Sequence, residues 1–469
     1  MTLGVGLGSV VALIGAFVGA GKLSDNSFFT HLATGRLILD QGSVPSTDPY
    51  TFTAAGEVWT VQSWLASLMY AVLERGFGLA GPRLLHMALA SVVAVGVWWL
   101  TRAARSLIPR LAIAALSVGT GAILWVERPL MIGLVCFVGL WVLADRGPLW
   151  PIVPLMWVWV NSHGSFPLGI VLVGTLFVGR LIDRGDVARL SRVAGLTAVG
   201  TVFGGVVSPV SVTILTFPVT LLGRADQLQA VTEWRSPDFA GWGARLFLLQ
   251  LVLAFLAARR VGRWELVVPA ATFIGAALLG ARNIPIAAIA VAPLLAAAAP
   301  NLGRLRSDER SPLAKGLLGV SVAGMLVLLL SLSSGPHLEL ESYPMAEIAR
   351  LDDEGVLPHG DERVAYIDRV GNYLEYRYGP IQNVFFDDRF DMYPERVLEG
   401  MIDLHQGRRV LEVLDHFDID IVVWQTDSPV SEQLLTSEAW VADAPLDPID
   451  PERAADDGST GWSIFRRNE

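Results

Sequence analysis

The chain has 469 residues, of which 52% are hydrophobic and only 17% are charged. Soluble globular domains carry about 25% charged residues, so this composition favours lipid as the solvent for much of the chain. The formal net charge of −10 argues against nucleic acid as a partner. The single cysteine, Cys136, excludes an intrachain disulfide.

Apolar segments of about 16–20 residues recur along the first two thirds of the chain, close to the length that crosses a bilayer core. They predict a polytopic α-helical membrane protein with about eleven transmembrane helices. The first segment lacks a basic N-terminal region and a small-residue cleavage site, so we interpret it as an uncleaved span. The predicted spans cover residues 3–20, 82–101, 109–125, 130–144, 148–162, 166–183, 192–208, 242–258, 264–280, 283–299 and 314–333.

The basic loops predict the orientation in the membrane. Counting residues 61–77 as a span would put the first basic cluster outside, so we interpret them as an amphipathic helix along the membrane surface. The N-terminus is then cytoplasmic and residues 335–469 are extracytoplasmic, in a multi-pass protein of the plasma membrane. The clusters that face the cytoplasm are Arg102, Arg105, Arg110; Arg180, Arg184, Arg189, Arg192; Arg259, Arg260, Arg263; and Arg304, Arg306, Arg310, Lys315.

The connections placed outside carry most of the unusual polar residues, so any active site is expected on the outer face. In the long first loop, residues 22–81, an apolar stripe predicts a helix with Ser24 or Asp25 as its N-cap. A carboxylate at this point could accept a proton from a hydroxyl nucleophile or hold a metal beside a phosphate. Asp25 could equally serve only as the cap. Asp48, which precedes a proline, is predicted to form a turn rather than to act in catalysis.

Further outer connections contain candidate ligand-binding residues. Arg128 interrupts apolar sequence and could meet an anionic phosphate or belong to an interfacial ion pair. His163 could bind a substrate or a metal, but a lone histidine is more often a satisfied polar residue, and no H-x-x-x-H or C-x-x-C spacing occurs. The other candidates, each with an anchor or packing role as the alternative, are Asn161, Glu233, Trp234, Arg235, Arg282 and Asn283.

Residues 335–469 alternate between strand-like and helix-like segments and predict a soluble α/β domain, separate from a membrane domain of residues 1–334. Asp387, Asp388 and Arg389 follow a predicted strand end, where α/β folds bind ligands, although a solvated turn is the preferred interpretation. Strands are predicted at 363–368, 383–386, 419–425 and 462–466, and helices at 372–378, 394–405 and 408–416.

Taken together, these motifs resemble those of GT-C membrane glycosyltransferases, and more closely an uncharacterised prokaryotic branch of GT-C-like proteins. In the first loop the resemblance rests on Asp25, on the helix containing His31 and Arg36, on the Asp48 turn and on Trp64 of the surface helix. It extends over nearly the full length through later motifs, which are Asn161 to Phe166, Glu233 to Phe239, Arg282 to Pro285, Asn372 to Leu374, Phe386 to Arg389, and Tyr393.

The resemblance implies transfer of a sugar from a polyprenyl-phosphate donor to an extracytoplasmic glycan, lipid or protein acceptor in envelope glycan biosynthesis. It implies Asp25 as the catalytic base or a metal ligand; a divalent metal is left open as a cofactor. Asn26 and Ser63 stand where related proteins carry an acid, so the alternative is a non-catalytic GT-C-like scaffold, or a transporter or assembly partner for lipid-linked glycans. The expected substrate contacts are His31, Arg36, Asp48, Trp64, Arg128, Asn161, His163, Glu233, Trp234, Arg235, Arg282 and Asn283.

Overall fold

The structure, a computed structural model, describes residues 1–224, 234–302, 305–358, 360–443 and 461–468. Contacts divide the chain into two compact units. The helical unit comprises Met1–Leu23 and Gln62–His337, and the mixed unit comprises Ser24–Val61 and Leu338–Glu469. This division differs from the predicted one, which assigned the whole first loop to the membrane domain.

Apolar helices make up the helical unit. Among the described residues, three helical segments are long and apolar enough to cross a membrane, Ala80–Ala103, Ala281–Ala298 and Pro312–Leu332, and seven other apolar helices are shorter. A helix occupies every predicted span, while the count of eleven crossings stays a prediction. Numbered in chain order, the helices are α1 (Leu3–Gly19), α3 (Trp64–Phe77), α4 (Ala80–Leu100), α5 (Leu107–Ala122), α6 (Leu130–Asp145), α7 (Ile152–Ser162), α8 (Pro167–Ile182), α9 (Ala188–Val206), α10 (Thr213–Leu222), α11 (Trp242–Val261), α12 (Trp264–Leu279), α13 (Ile284–Ala298) and α14 (Pro312–Leu332).

Glycines allow α1 to approach two neighbouring helices closely. A Cβ atom on Gly6 would lie 2.9 Å from the Cα atom of Ala314 in α14. A Cβ atom on Gly15 would lie 2.7 Å from the carbonyl oxygen of Ala90 in α4. Both distances are shorter than van der Waals contact, so only glycine fits without a shift. Glycine at these positions therefore allows close helix packing.

The mixed unit combines one helix of the first loop, α2 (Asn26–Gln41), with the C-terminal elements. These elements are α15 (Met345–Asp353), β1 (Val364–Ala365), α16 (Asp368–Tyr378), α17 (Glu395–His405), α18 (Val410–His416), β2 (Ile421–Gln425), α19 (Pro429–Thr436), β3 (Trp440–Ala442) and β4 (Trp462–Arg467). The strand order is β1-β2-β4-β3, with β1 parallel to β2 and the other neighbours antiparallel. The predicted helices and the predicted strands near residues 421 and 462 are confirmed.

One predicted strand, residues 383–386, is wrong. The segment lies outside the sheet and pairs with the first loop instead. Val384 donates its N–H to the carbonyl of Tyr50 at 2.7 Å and accepts the N–H of Phe52 at 3.1 Å. Its run of apolar residues correctly indicates an extended, buried segment, but such a pattern does not specify which segment it pairs with.

Candidate functional site

Asp25 lies at the start of α2 in the mixed unit. Its Oδ1 accepts the N–H of Ser27 at 3.0 Å, so the predicted N-cap is confirmed. The predicted apolar stripe of α2 is buried in this unit. Asp25 and Asn26 are only half-buried, as is His31 further along the helix. Asp25 is therefore not enclosed in the core of the unit.

A second carboxylate reaches the same end of α2. The Ser27 hydroxyl donates to Oδ2 of Asp388, and Nδ2 of Asn26 lies 3.5 Å from the same oxygen. The backbone N–H of Asp388 donates to Oδ1 of Asn372 at 3.0 Å, which fixes its position. An acid therefore does lie beside Asn26, although it comes from a segment 362 residues later in the chain.

The charges of both carboxylates and of Arg369 act on the hydroxyl of Tyr343. Burial raises the pKa of the Tyr343 hydroxyl, Arg369 acts against that rise, and the charges of Asp25 and Asp388 add to it. The phenol therefore stays protonated at neutral pH. We call Asp25, Ser27, Asp388, Tyr343 and Arg369 the Asp25 cluster. Neither Tyr343 nor Arg369 belongs to a recognisable spacing pattern, so the sequence alone does not single them out.

Aromatic side chains pack against Tyr343 of the Asp25 cluster. The ring of Tyr343 packs edge-on against Phe29, with 5.9 Å between centroids, and lies 5.7 Å from Tyr373. Arg36 of α2 lies over the ring of Tyr376 at 4.6 Å and donates to its carbonyl at 2.7 Å. Arg36, a predicted substrate contact, therefore joins α2 to α16 in this structure.

Asp48 belongs to a different, buried group of charges. Its Oδ1 accepts the N–H of Tyr50 at 3.1 Å and its Oδ2 accepts the N–H of Thr51 at 2.9 Å, so the predicted turn is confirmed. Arg389 donates from Nη2 to Oδ1 of Asp48 at 2.7 Å. Because the side chain of Asp48 has no exposed surface, it stabilises the fold rather than reaching a substrate.

Arg389 is the centre of this group. It donates from Nη2 to Oδ2 of Asp387 at 2.5 Å and lies 3.6 Å from Glu375. Its guanidinium also lies over the rings of Tyr50 and Trp59, at 5.0 and 4.4 Å. The predicted solvated turn is wrong for Asp387 and Arg389, which are buried because each neutralises the other.

The pKa values of Glu375 and Asp387 are shifted in opposite directions. Burial raises the pKa of Glu375 well above its usual range, the charge of Asp387 raises it further, and Arg389, 3.6 Å away, acts against that rise. Burial acts in the same direction on the pKa of Asp387, but Arg389 outweighs it and the pKa is lowered. Thr30 of α2 donates to Oε2 of Glu375 at 2.6 Å. This Arg389 cluster (Asp48, Glu375, Asp387 and Arg389) joins the first loop to the C-terminal segment.

In the helical unit, Trp64 and Asn161 are brought together. Nε1 of Trp64 donates to Oδ1 of Asn161 at 2.8 Å. Nδ2 of Asn161 donates to the carbonyls of Trp157 and Gly204, at 2.8 and 3.0 Å. Asn161 is fully buried. It therefore positions Trp64 and ties α3, α7 and α9 together.

His163 follows α7 and is half-buried. Its Nδ1 accepts the N–H of Ser165 at 3.1 Å and lies 2.8 Å from the hydroxyl oxygen of the same serine. That oxygen also accepts from Nε1 of Trp159 at 3.0 Å. These contacts agree with the interpretation of His163 as a satisfied polar residue.

Trp234 and Arg282 also meet in the helical unit. The guanidinium carbon of Arg282 lies 4.3 Å from the centre of the Trp234 ring. The carbonyl of Arg235 accepts the N–H of Ala281 at 2.9 Å, which holds the two segments side by side. The side chain of Arg235 is exposed. Two predicted motifs distant in sequence therefore form one cationic and aromatic surface group.

The remaining predicted residues have separate positions. Asn283 donates from Nδ2 to the carbonyl of Ala276 at 3.1 Å, near the end of α12. Arg128 is half-buried in the turn between α5 and α6. Glu233 lies outside the described residues, as does Arg304 of the predicted basic loops.

Arg83 and His86, at the start of α4, are ionisable residues that no sequence motif singles out. Oε1 of Glu127 lies 3.7 Å from Nδ1 of His86, and both side chains are buried. Arg83 donates to the carbonyls of Ala20 and Gly21 at 2.8 and 2.9 Å. The position of Arg83 and His86 inside a predicted span itself indicates that they have partners, because buried charges in such helices require them.

No protein-family model matches this chain, and no curated protein matches it either. Within the described ranges, no group of three or more His, Cys, Asp or Glu side chains is placed to hold a metal ion. The Asp25 cluster offers two carboxylates, Asp25 and Asp388, and does not fit a metal site of that kind. We therefore assign it no metal.

Proposed function

We propose that this chain is a membrane glycosyltransferase of the GT-C type, which moves a sugar from a polyprenyl-phosphate donor to an extracytoplasmic acceptor. The observation that carries the proposal is the Asp25 cluster, in which two half-buried carboxylates and Arg369 all act on the Tyr343 phenol. The apolar helices support it further, because a polyprenyl-phosphate donor resides in the membrane.

The chemistry needs one base and one group that stabilises the leaving phosphate. In inverting transfer, the bond between the sugar C1 and the phosphate oxygen breaks, and the acceptor oxygen forms the new bond to C1. In our proposal Asp25 takes the proton of the acceptor hydroxyl, and polyprenyl phosphate leaves with the electron pair. Arg369 is the cation of the cluster that would oppose the charge on the leaving phosphate. No step involves a metal.

The proposal includes an orientation in the membrane. Eleven spans would leave the N-terminus in the cytoplasm and residues 335–469 outside, in the plasma membrane. The arginine distribution between predicted loops supports this orientation. The phosphate contacts proposed for Arg128, Arg235 and Arg282, like the identity of the glycan, lipid or protein acceptor, stay predictions.

Donor turnover by the purified full-length protein tests the proposal. A panel of polyprenyl-phosphate sugars is supplied in detergent, and release of polyprenyl phosphate is followed. Asp25→Asn should lower turnover by about 10²–10⁴-fold, the usual contribution of a general base. Asp40→Asn is the matched control, because Asp40 is exposed near the other end of α2. Full turnover in Asp25→Asn would rule out the assigned base, and donor binding without turnover in the wild type would favour the non-catalytic scaffold.

A further inference from the structure

A cavity of about 490 Å³ lies among helix ends in the helical unit. Residues of α4, α6, α8, α9, α12 and α13 and their adjoining turns line it. None of the predicted site residues is among them. Its volume falls in the range of small-ligand sites, which is roughly 300–1,000 Å³. The proposed sugar transfer therefore does not account for it.

Part of the cavity lining is apolar. It is formed by side chains from four different helices, all of them buried in the unit. Because these helices are packed against one another, this apolar wall is preformed. It can contact the hydrocarbon portion of a ligand whose polar portion meets the charged lining. The wall residues are Leu100, Trp141, Leu176 and Leu190.

Arginines form one edge of the rim. Arg102 donates from Nη2 to Oδ2 of Asp145 at 2.6 Å, and Arg146 donates from Nε to the same oxygen at 2.8 Å. One carboxylate is therefore shared by two guanidinium groups. Arg102 is also held over the ring of Trp99 at 3.6 Å, so its position is fixed. The side chain of Arg146 is 68% exposed.

A second acid of the lining, Glu265, also contacts two arginines. Arg180, which is not part of the lining, donates from Nη1 to both oxygens of Glu265 at 2.7 Å, and Nη2 of Arg263 lies 3.4 Å from Oε2 of the same acid. Arg263 is 55% exposed. The lining therefore holds three arginines, Arg102, Arg146 and Arg263, and two acids, Asp145 and Glu265.

We propose that this cavity binds the phosphate head group of an anionic glycerophospholipid. Arg146 and Arg263 would contact the phosphate, while the glycerol and the first part of the acyl chains lie against the apolar wall. Basic pockets between membrane helices on the cytoplasmic side are suited to anionic head groups, and Arg102 and Arg263 belong to the predicted cytoplasmic clusters. A zwitterionic lipid would add its own ammonium to a rim that already has excess positive charge. The inference does not depend on the proposed sugar transfer.

Lipid binding to the full-length protein tests this inference. Native mass spectrometry in a nonionic detergent would compare phosphatidylglycerol with phosphatidylcholine, and glycerol 1-phosphate would serve as the soluble head group. The wild type should retain phosphatidylglycerol in preference to phosphatidylcholine. The double variant R146Q/R263Q should reduce that preference by at least about fivefold, because it removes two charged hydrogen-bond donors. The variant R146K/R263K, which keeps both charges, should retain most of it.

Arg192→Gln is the control, because Arg192 is exposed in a predicted cytoplasmic cluster but does not line the cavity. It should bind phosphatidylglycerol as the wild type does. Unfolding temperatures without lipid should be equal for all variants, since Arg146 and Arg263 are largely exposed. Equal preference in the wild type and R146Q/R263Q would overturn the site, and equal binding of glycerol 1-phosphate would overturn the lipid as its ligand.

Discussion

Arg389 is a buried cation whose charge is tolerated because Asp48 and Asp387 contact it directly. Removing a charge from water costs several kcal/mol, so a buried charge that loses its partner remains uncompensated. Asp48 and Arg389 are 341 residues apart in sequence. A single guanidinium therefore holds together two distant parts of the mixed unit.

Arg389→Met should destabilise the mixed unit by about 3–5 kcal/mol, because Asp48 and Asp387 are then buried without a cation. Thermal unfolding and the rate of proteolysis of residues 338–443 would both report the loss. Arg408→Met is the control, because Arg408 is 59% exposed and its partner Asp403 keeps Arg409. Equal stability of the two variants would show that the Arg389 cluster does not support the fold.

Glu375 should make stability depend on pH. Folding raises the pKa of Glu375 above its unfolded value of about 4.3, so the folded state holds this proton more tightly. The resulting stabilisation is complete below the unfolded pKa and is lost as pH rises toward the folded pKa. Asp387, whose pKa is lowered, affects stability only in more acidic solution.

In Glu375→Gln the side chain cannot ionise, and its amide oxygen can still accept the hydrogen bond from the Thr30 hydroxyl. Its unfolding temperature relative to the wild type should therefore rise between about pH 5 and about pH 8. Glu399→Gln, at an exposed position of α17, should show a difference that does not change with pH. A difference for Glu375→Gln that stays constant over this range would contradict a protonated Glu375.

Among the helices, α1 packs closely against its neighbours because it has glycines at the contacts. Gly15→Ala should destabilise the helical unit by about 1–3 kcal/mol, because its Cβ would lie 2.7 Å from the carbonyl of Ala90. Gly319→Ala in α14 is the matched control, since a Cβ there meets nothing within 4 Å. It should be neutral or stabilising, because alanine favours helix. Similar unfolding temperatures in detergent for the two variants would contradict tight packing of α1.

Local sequence patterns predicted the helices and strands better than they predicted which segments contact one another. The apolar stripe and cap of α2 sufficed to predict that helix, because both signals lie within one segment. Residues 383–386 were predicted as a strand of the sheet, but their backbone partner is the distant Tyr50. Asp387 and Arg389 look solvated in sequence, and only their mutual contact explains their burial. Pairing over such separations leaves no local signal.

At the level of the whole chain, the largest difference between the predicted and the observed division into units concerns the first loop. The predicted boundary near residue 334 is close to the one at His337, because the apolar segments end there. Ser24–Val61, however, folds with the C-terminal residues. The contacts responsible, such as Thr30 with Glu375, join residues 345 positions apart. Composition cannot reveal them.

The proposed orientation can be tested with single cysteines in a Cys136→Ser background. Glu399→Cys should react with a membrane-impermeant maleimide in intact spheroplasts, because the mixed unit is proposed to be outside. Arg192→Cys should react only after permeabilisation, as expected for a cytoplasmic loop. The opposite pattern would invert the proposed topology. Both positions are exposed, so folding should be unaffected.

Asp25 and Asp388 flank Ser27, and if sugar is transferred there they should act on one step. The most direct test measures donor turnover for Asp25→Asn, Asp388→Asn and the double variant. We expect losses of at least about 100-fold and about tenfold for the single variants, with the double variant no slower than Asp25→Asn. Wild-type turnover in Asp25→Asn, or losses that simply multiply in the double variant, would contradict a shared catalytic site.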